Sequence, residues 1–324
     1  MATNSGSRSL WRRFRDRQLV RRIDSENSRR FKIINQASSQ RVESRERPVL
    51  LFNASTRLTR TSLNAAFSWL TGNSLQMNGV PAVFLTCNYG LNPCLLATDR
   101  DNPKKELPCR ECIQFSNEMY RGIPTFPLVF REEPSLFNDV EGLELEGLES
   151  YVFRGVPLGE LTLPSQRWIM RRHHLAGVPN AVQLARMYIR SAWSTFLQVS
   201  EWVETNQPRA IVVFNGLQYP EAVVKWIGKQ AGIPTFTHEI GLMPETAIFT
   251  EGEATACPIV LPADFEMDAE KDQKLDQYLE SRMAGSFKTA GVQFWPDMEG
   301  LTPEFWNLAR SFRQIVPIFT NVVF

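Results

Sequence analysis

No uninterrupted apolar run in this sequence reaches the ~18 residues that a membrane-spanning helix needs, so no segment reads as a helical span. Histidine is scarce, with three in 324 residues, which leaves little for imidazole-based metal or acid–base chemistry. Five cysteines are an odd number at low density. A disulfide-built scaffold is therefore not expected, and a reducing compartment, the cytoplasm, is. Glycine and proline, at 18 and 20, are too few for a collagenous or low-complexity chain. The first residues lack the short apolar core of a secretory signal peptide, so export is not expected either.

What is present is a globular composition, with 43% hydrophobic, 11% aromatic and 22% charged residues. At ~150 residues per domain the length fits two domains or one large one. The net charge of +1 hides an asymmetry: residues 1–47 carry +8 and the remainder −7. Trp11, Phe14, Leu19 and Ile23 stand among the arginines at roughly helical spacing. One reading is a peripheral anchor at the inner face of an anionic membrane, where arginines meet headgroups and aromatics insert. The other is a solvated, partly helical extension that separates from the fold. Nucleic acid is not an expected partner, because the rest of the chain shows no recognised nucleic-acid motif.

Order begins at Pro48. Val49 to Asn53 is a short apolar run that ends in the polar Ala54-Ser55-Thr56, and it predicts a buried strand. A helical pattern follows over 61–77, then the Asn78-Gly79 turn signal and a second apolar run from Val80 to Cys87. Strand, helix, strand is a unit that builds parallel sheets. From 90 to 121 the prolines predict loops. Cys87, Cys94, Cys109 and Cys112 fall here, and the C-x2-C spacing of the last two suits chelation of one ion. Structural, reduced cysteines are the competing reading. The acidic stretch 131–149 reads as a solvated loop or short helix. His173-His174 read as a surface helix end, because adjacent residues do not share a helix face. Over 180–204, Val182, Ala185, Ile189, Ala192, Phe196, Val199 and Val203 recur at spacings of three and four, one core-facing stripe.

The segment 209–257 carries most information. Arg209 to Phe214 is a β-branched run ending in Asn215-Gly216. Pro220 and Glu221 open a helix, where a proline loses no hydrogen bond and a carboxylate complements the positive helix end. Gly232 stops that helix, and Ile233 to Thr237 predicts the next strand, followed by His238-Glu239-Ile240-Gly241. Both polar clusters then lie at carboxyl ends of parallel strands, where ligands of open α/β sheets bind. A carboxylate beside a partly buried imidazole suits general-base chemistry. The competing reading has His238 capping a strand and Glu239 bonding loop amides. The predicted fold is a Rossmann-like α/β domain over 48–265, a parallel sheet with flanking helices. A tail over 1–47 precedes it, and a helical segment over 266–324 follows.

Phe214-Asn215-Gly216, Pro220-Glu221, Gly232-Ile233-Pro234, His238-Glu239-Ile240-Gly241 and Pro244-Glu245-Thr246 together resemble the capsule polysaccharide biosynthesis proteins, relatives of Kdo transferases and other GT-B-type glycosyltransferases. So does the Cys94…Cys109-x2-Cys112 region followed by Tyr120. The resemblance implies a GT-B-type N-terminal, acceptor-side domain. It implies transfer of a sugar from a nucleotide-sugar donor to a glycan or glycolipid acceptor, in bacterial surface polysaccharide assembly. On that footing Glu239 is the base or acceptor-orienting carboxylate, with His238 beside it. Asn215, Gly216, Gly241, Asn53 and Ser55 contact substrate. No cofactor is implied beyond the donor substrate, and no DxD carboxylate pair stands at a predicted strand end. A nucleotide-sugar epimerase and a non-catalytic binding or assembly module are the alternatives. The apolar run 315–324 is expected to open a nucleotide-sugar domain that the chain lacks.

Overall fold

The computed structural model describes residues 5–40, 46–53, 62–241, 243, 245–258, 260–283, 288–289, 292–293 and 303–312. Within these, six strands form one sheet: β1 (Val49–Phe52), β2 (Ala82–Cys87), β3 (Thr125–Leu128), β4 (Ala210–Phe214), β5 (Thr235–Ile240) and β6 (Ala247–Thr250). Their order is β3-β2-β1-β4-β5-β6, with every pairing parallel except β5–β6. The fold is thus α/β and Rossmann-like, and the strand order reverses between β1 and β4. A small hairpin, β7 (Lys288–Thr289) with β8 (Val292–Gln293), lies outside this sheet.

The helices are α1 (Ser5–Ser39), α2 (Leu63–Met77), α3 (Cys109–Met119), α4 (Pro134–Glu141), α5 (Leu145–Glu149), α6 (Leu158–Met170), α7 (Ala181–Asn206), α8 (Glu221–Gln230), α9 (Ala269–Met283) and α10 (Pro303–Ser311). Side chains alternate across the sheet, so each strand feeds two cores. Leu50, Phe52, Ile211 and Val213 pack with Tyr188, Ile189 and Ala192 of α7 and Val223, Val224 and Ile227 of α8. Val49, Leu51, Phe84 and Val212 pack on the other face with Trp69 of α2, Met119 of α3 and Phe31 of α1. Burial on both faces is why these strands read as continuous apolar runs. The predicted α7 stripe is the inner face of that helix, with Ala185, Ile189, Ala192, Val199 and Val203 buried.

Two expectations change. Residues 109–119 form α3, where loops were expected; Pro108 precedes its first residue, and Ser116 and Met119 turn inward. The basic N-terminal segment is not a separable tail over its whole length. Phe31 meets Trp69 edge-on with ring centroids 5.1 Å apart, and Phe115 at 6.1 Å. Asn35 accepts from the Trp69 indole N–H at 3.0 Å and donates to the Met119 carbonyl at 2.9 Å. The Ser38 hydroxyl bonds Asn73 at 2.6 Å. The C-terminal part of α1 is therefore an outer-layer helix of the fold. Among the described residues no helix is long and apolar enough to cross a membrane. Residues 313–324, on which the reading of a missing domain rests, lie outside the described residues.

Candidate functional site

The carboxyl ends of β4 and β5 and the first turn of α2 meet in one group of polar side chains. Asn215 follows β4 directly. Its φ of 57° is left-handed, a conformation that Asn tolerates better than most side chains. Its Oδ1 accepts from the Leu217 N–H at 3.0 Å, which fixes the amide, and its Nδ2 donates to Glu239 Oε2 at 3.1 Å. Gly216, at φ 76°, has no room for a side chain: a Cβ there would stand 2.8 Å from Lys225 Cδ and 2.9 Å from Thr237 Cγ2. This close approach holds the β4–α8 turn against β5.

Glu239 receives two more donors. The Ile240 N–H reaches Oε1 at 2.8 Å, and Nδ2 of Asn64 reaches the same oxygen at 3.4 Å. Asn64 lies in the first turn of α2, which Ser62 caps by accepting from the Ala65 N–H at 3.1 Å. Asn64 is buried, and its carbonyl oxygen has no hydrogen-bond partner. Asn53 follows β1 in a buried position. The group thus combines one carboxylate with the carboxamides of Asn64 and Asn215, from two segments. Such a set accepts and donates hydrogen bonds without transferring charge, which suits hydroxyl-rich ligands.

The structure brings Asn215 and Glu239 together as the sequence suggests, and it adds Asn64. His238 does not join them. The sequence places His238-Glu239 in a loop after the strand, but β5 runs on through Ile240, because β6 folds back and supplies antiparallel partners for both residues. Neighbours on a strand project oppositely. The His238 ring stacks on Phe249 at 5.1 Å and lies 5.6 Å from Phe214. It is fully buried, with neither ring nitrogen hydrogen-bonded. Burial pushes its pKa down to about 4, so the imidazole is neutral at pH 7. A His238–Glu239 acid–base pair does not form. Gly241 packs into the β5–β6 return, donating its N–H to the Thr246 carbonyl at 2.8 Å, with Thr246 Oγ1 occupying the space a Cβ would need. Ser55 lies outside the described residues.

The cysteines gather elsewhere. Cys87 ends β2, and Cys94, Cys109 and Cys112 line a small apolar cavity with it. Burial pushes the Cys94 thiol up to about 12, so it stays protonated at neutral pH. Among the described residues no three His, Cys, Asp or Glu side chains are placed to hold a metal ion. His173 and His174 are exposed beyond the end of α6, ring against ring at 4.7 Å. A 710 Å³ groove runs along Leu96–Asp101, Lys105, Glu106 and Arg171, and shares no lining residue with the Glu239 group. Compared with known proteins, the chain matches no family model and no curated protein.

Proposed function

We propose that the chain is a glycosyltransferase, or the acceptor-side half of one, that transfers a sugar from a nucleotide-sugar donor during assembly of a bacterial capsule or surface polysaccharide. The observation that carries this reading is the Glu239 carboxylate, oriented by Asn215 and Asn64 beside the reversal of strand order. Carboxylate and carboxamide groups read sugar hydroxyls by exchanging hydrogen bonds with them. The resemblance to capsule polysaccharide biosynthesis proteins supports the finer assignment.

The hydrogen bonding favours one role for Glu239 over the other. Each of its oxygens already accepts from an amide, and no imidazole relays its proton. It therefore orients an acceptor hydroxyl. His238 acts through packing alone. On this reading the donor is a substrate, the acceptor is a glycan or glycolipid, and the work is done in the cytoplasm. The ten basic residues of α1 would favour the anionic inner face of the membrane.

The test is a product assay. The purified chain is incubated with nucleotide sugars, with and without lipid-linked oligosaccharide acceptors, and the products are analysed by mass spectrometry. Transfer to the acceptor supports the proposal. A nucleotide sugar altered without any acceptor would replace it with the epimerase reading. Acceptor binding without turnover of any donor would replace it with a binding module.

A further inference from the structure

A groove of about 510 Å³ runs between α1 and the end of α3, and shares no lining residue with the Glu239 group. Its walls are pinned together. The Asn35 amide donates to the carbonyls of Met119 and Arg121 at 2.9 and 3.1 Å, and Phe31 meets Phe115 edge-on. Arg29, Lys32 and Gln36 line the groove from α1. Their i, i+3, i+7 spacing puts them on one side of that helix. Arg121 lines the other wall from just beyond α3, and Glu118 is the one carboxylate of the described lining.

Three cations against one carboxylate form a surplus that the described residues do not neutralise. Among them Arg29, Lys32 and Arg121 form no ion pair, whereas the neighbouring Arg30 pairs with Glu26 at 2.7 Å. Like charges one turn apart repel, so an anion among them relieves a cost. The helix dipole accounts for Arg121, at the negative end of α3, but not for Arg29 and Lys32 inside α1. An arginine fork takes two phosphate oxygens at once, and a lysine meets phosphate as a point charge. The surroundings separate a lipid phosphate from a soluble one. Ile33, one turn on from Arg29, is 54% exposed, and Ile23 is 47% exposed. Cations with exposed aliphatic neighbours mark a helix that lies in a membrane interface, where headgroups meet the charges and acyl chains the aliphatic groups. A soluble phosphate would leave the isoleucines in water.

We propose that the groove between α1 and α3 binds the phosphate headgroup of an anionic membrane lipid through Arg29, Lys32 and Arg121. This rests on the reading that the chain works at the anionic inner face of the membrane, and gives that contact a defined site. It does not depend on which sugar is transferred.

The experiment measures binding of the full chain to vesicles of phosphatidylglycerol and phosphatidylcholine in equal parts, at fixed ionic strength. Arg29→Gln, Lys32→Gln and Arg121→Gln should each weaken binding about fivefold, and the first two together about 25-fold. Lys229→Gln makes the same charge change on α8, across the sheet, and should alter binding by less than about twofold. All four side chains are exposed, so the variants should unfold at the wild-type midpoint. A wild-type chain that ignores these vesicles would overturn the proposal and the membrane placement together, while the product assay for sugar transfer stands apart. Binding that survives the three groove substitutions, or that Lys229→Gln weakens equally, would overturn the groove alone. Binding of inorganic phosphate, lost in Arg29→Gln, by a chain that does not bind vesicles would assign the groove to a soluble ligand and overturn the proposal as well.

Discussion

Two clusters share the carboxyl edge of one sheet and differ in almost every property. Around Glu239 the groups are amides and a carboxylate, nearly all engaged with one another. At the end of β2 the groups are thiols, and they face an apolar space. The first is built to exchange hydrogen bonds with a polar ligand. The second, a small apolar space, excludes such a ligand. The fold supplies the same edge to both, so the residue types that each loop places there decide the chemistry. The two sites should therefore respond independently to local changes and together to a global one.

The largest expected effect is the global one. Phe31→Ala removes a buried ring from the contact of α1 with Trp69 and Phe115, and should cost about 3–5 kcal/mol. Denaturant unfolding would show it, with both clusters lost in the same transition. An unchanged midpoint would mean that α1 is separable after all.

His238→Phe comes next and should leave both clusters intact. The folded pKa of His238 is lowered, to about 4 from 6.5, so the unfolded chain binds the proton more readily. No protonation penalty arises above about pH 6.5, and stability is lost as pH falls from there toward 4. The full loss is about 3 kcal/mol. Unfolding measured at pH 7.5 and pH 4.5 should show a steep acid limb in the wild type and a shallower one in His238→Phe. Equal slopes would contradict the buried neutral imidazole.

Gly216→Ala forces a side chain into a left-handed, crowded turn and should cost about 1–2 kcal/mol from backbone strain alone. It should also misplace Asn215, weakening ligand binding while alkylation of the cysteines stays unchanged. Asn64→Ala is the mildest change. It deletes a 3.4 Å hydrogen bond to Glu239 and should shift stability by about 0.5–1.5 kcal/mol. Its signature is a two- to tenfold loss of sugar affinity with cysteine alkylation unchanged.

Much of the architecture was legible because its signals are local. The run Ile211–Val213, Pro220 at the opening of α8 and Gly232 at its end, with φ 64°, each mark their boundary by residue type. What was hidden depends on partners distant in sequence. The β5 strand extends through Glu239 only because β6 returns beside it, and that extension separates His238 from Glu239. Asn64 gave no signal of its own; its first-turn position after β1 would have pointed to the edge only once β1 was known to be central. The docked face of α1 is Phe31, Asn35 and Ser38, two of them polar, so hydropathy does not reveal it. The helix α3 was obscured by flanking prolines and by a polar sequence with few apolar anchors.

The central claim is that the Glu239 group binds a sugar. Ligand-observed NMR on the intact chain, with a panel of nucleotide sugars and oligosaccharides, tests it directly. Hydrogen bonds to a charged group contribute about 1.5–3 kcal/mol. We therefore expect saturation transfer to the ring protons of at least one ligand, and a loss of affinity of about 10- to 150-fold in Glu239→Ala. No binding by any member of the panel, or binding that Glu239→Ala and Asn215→Ala leave intact, would contradict it.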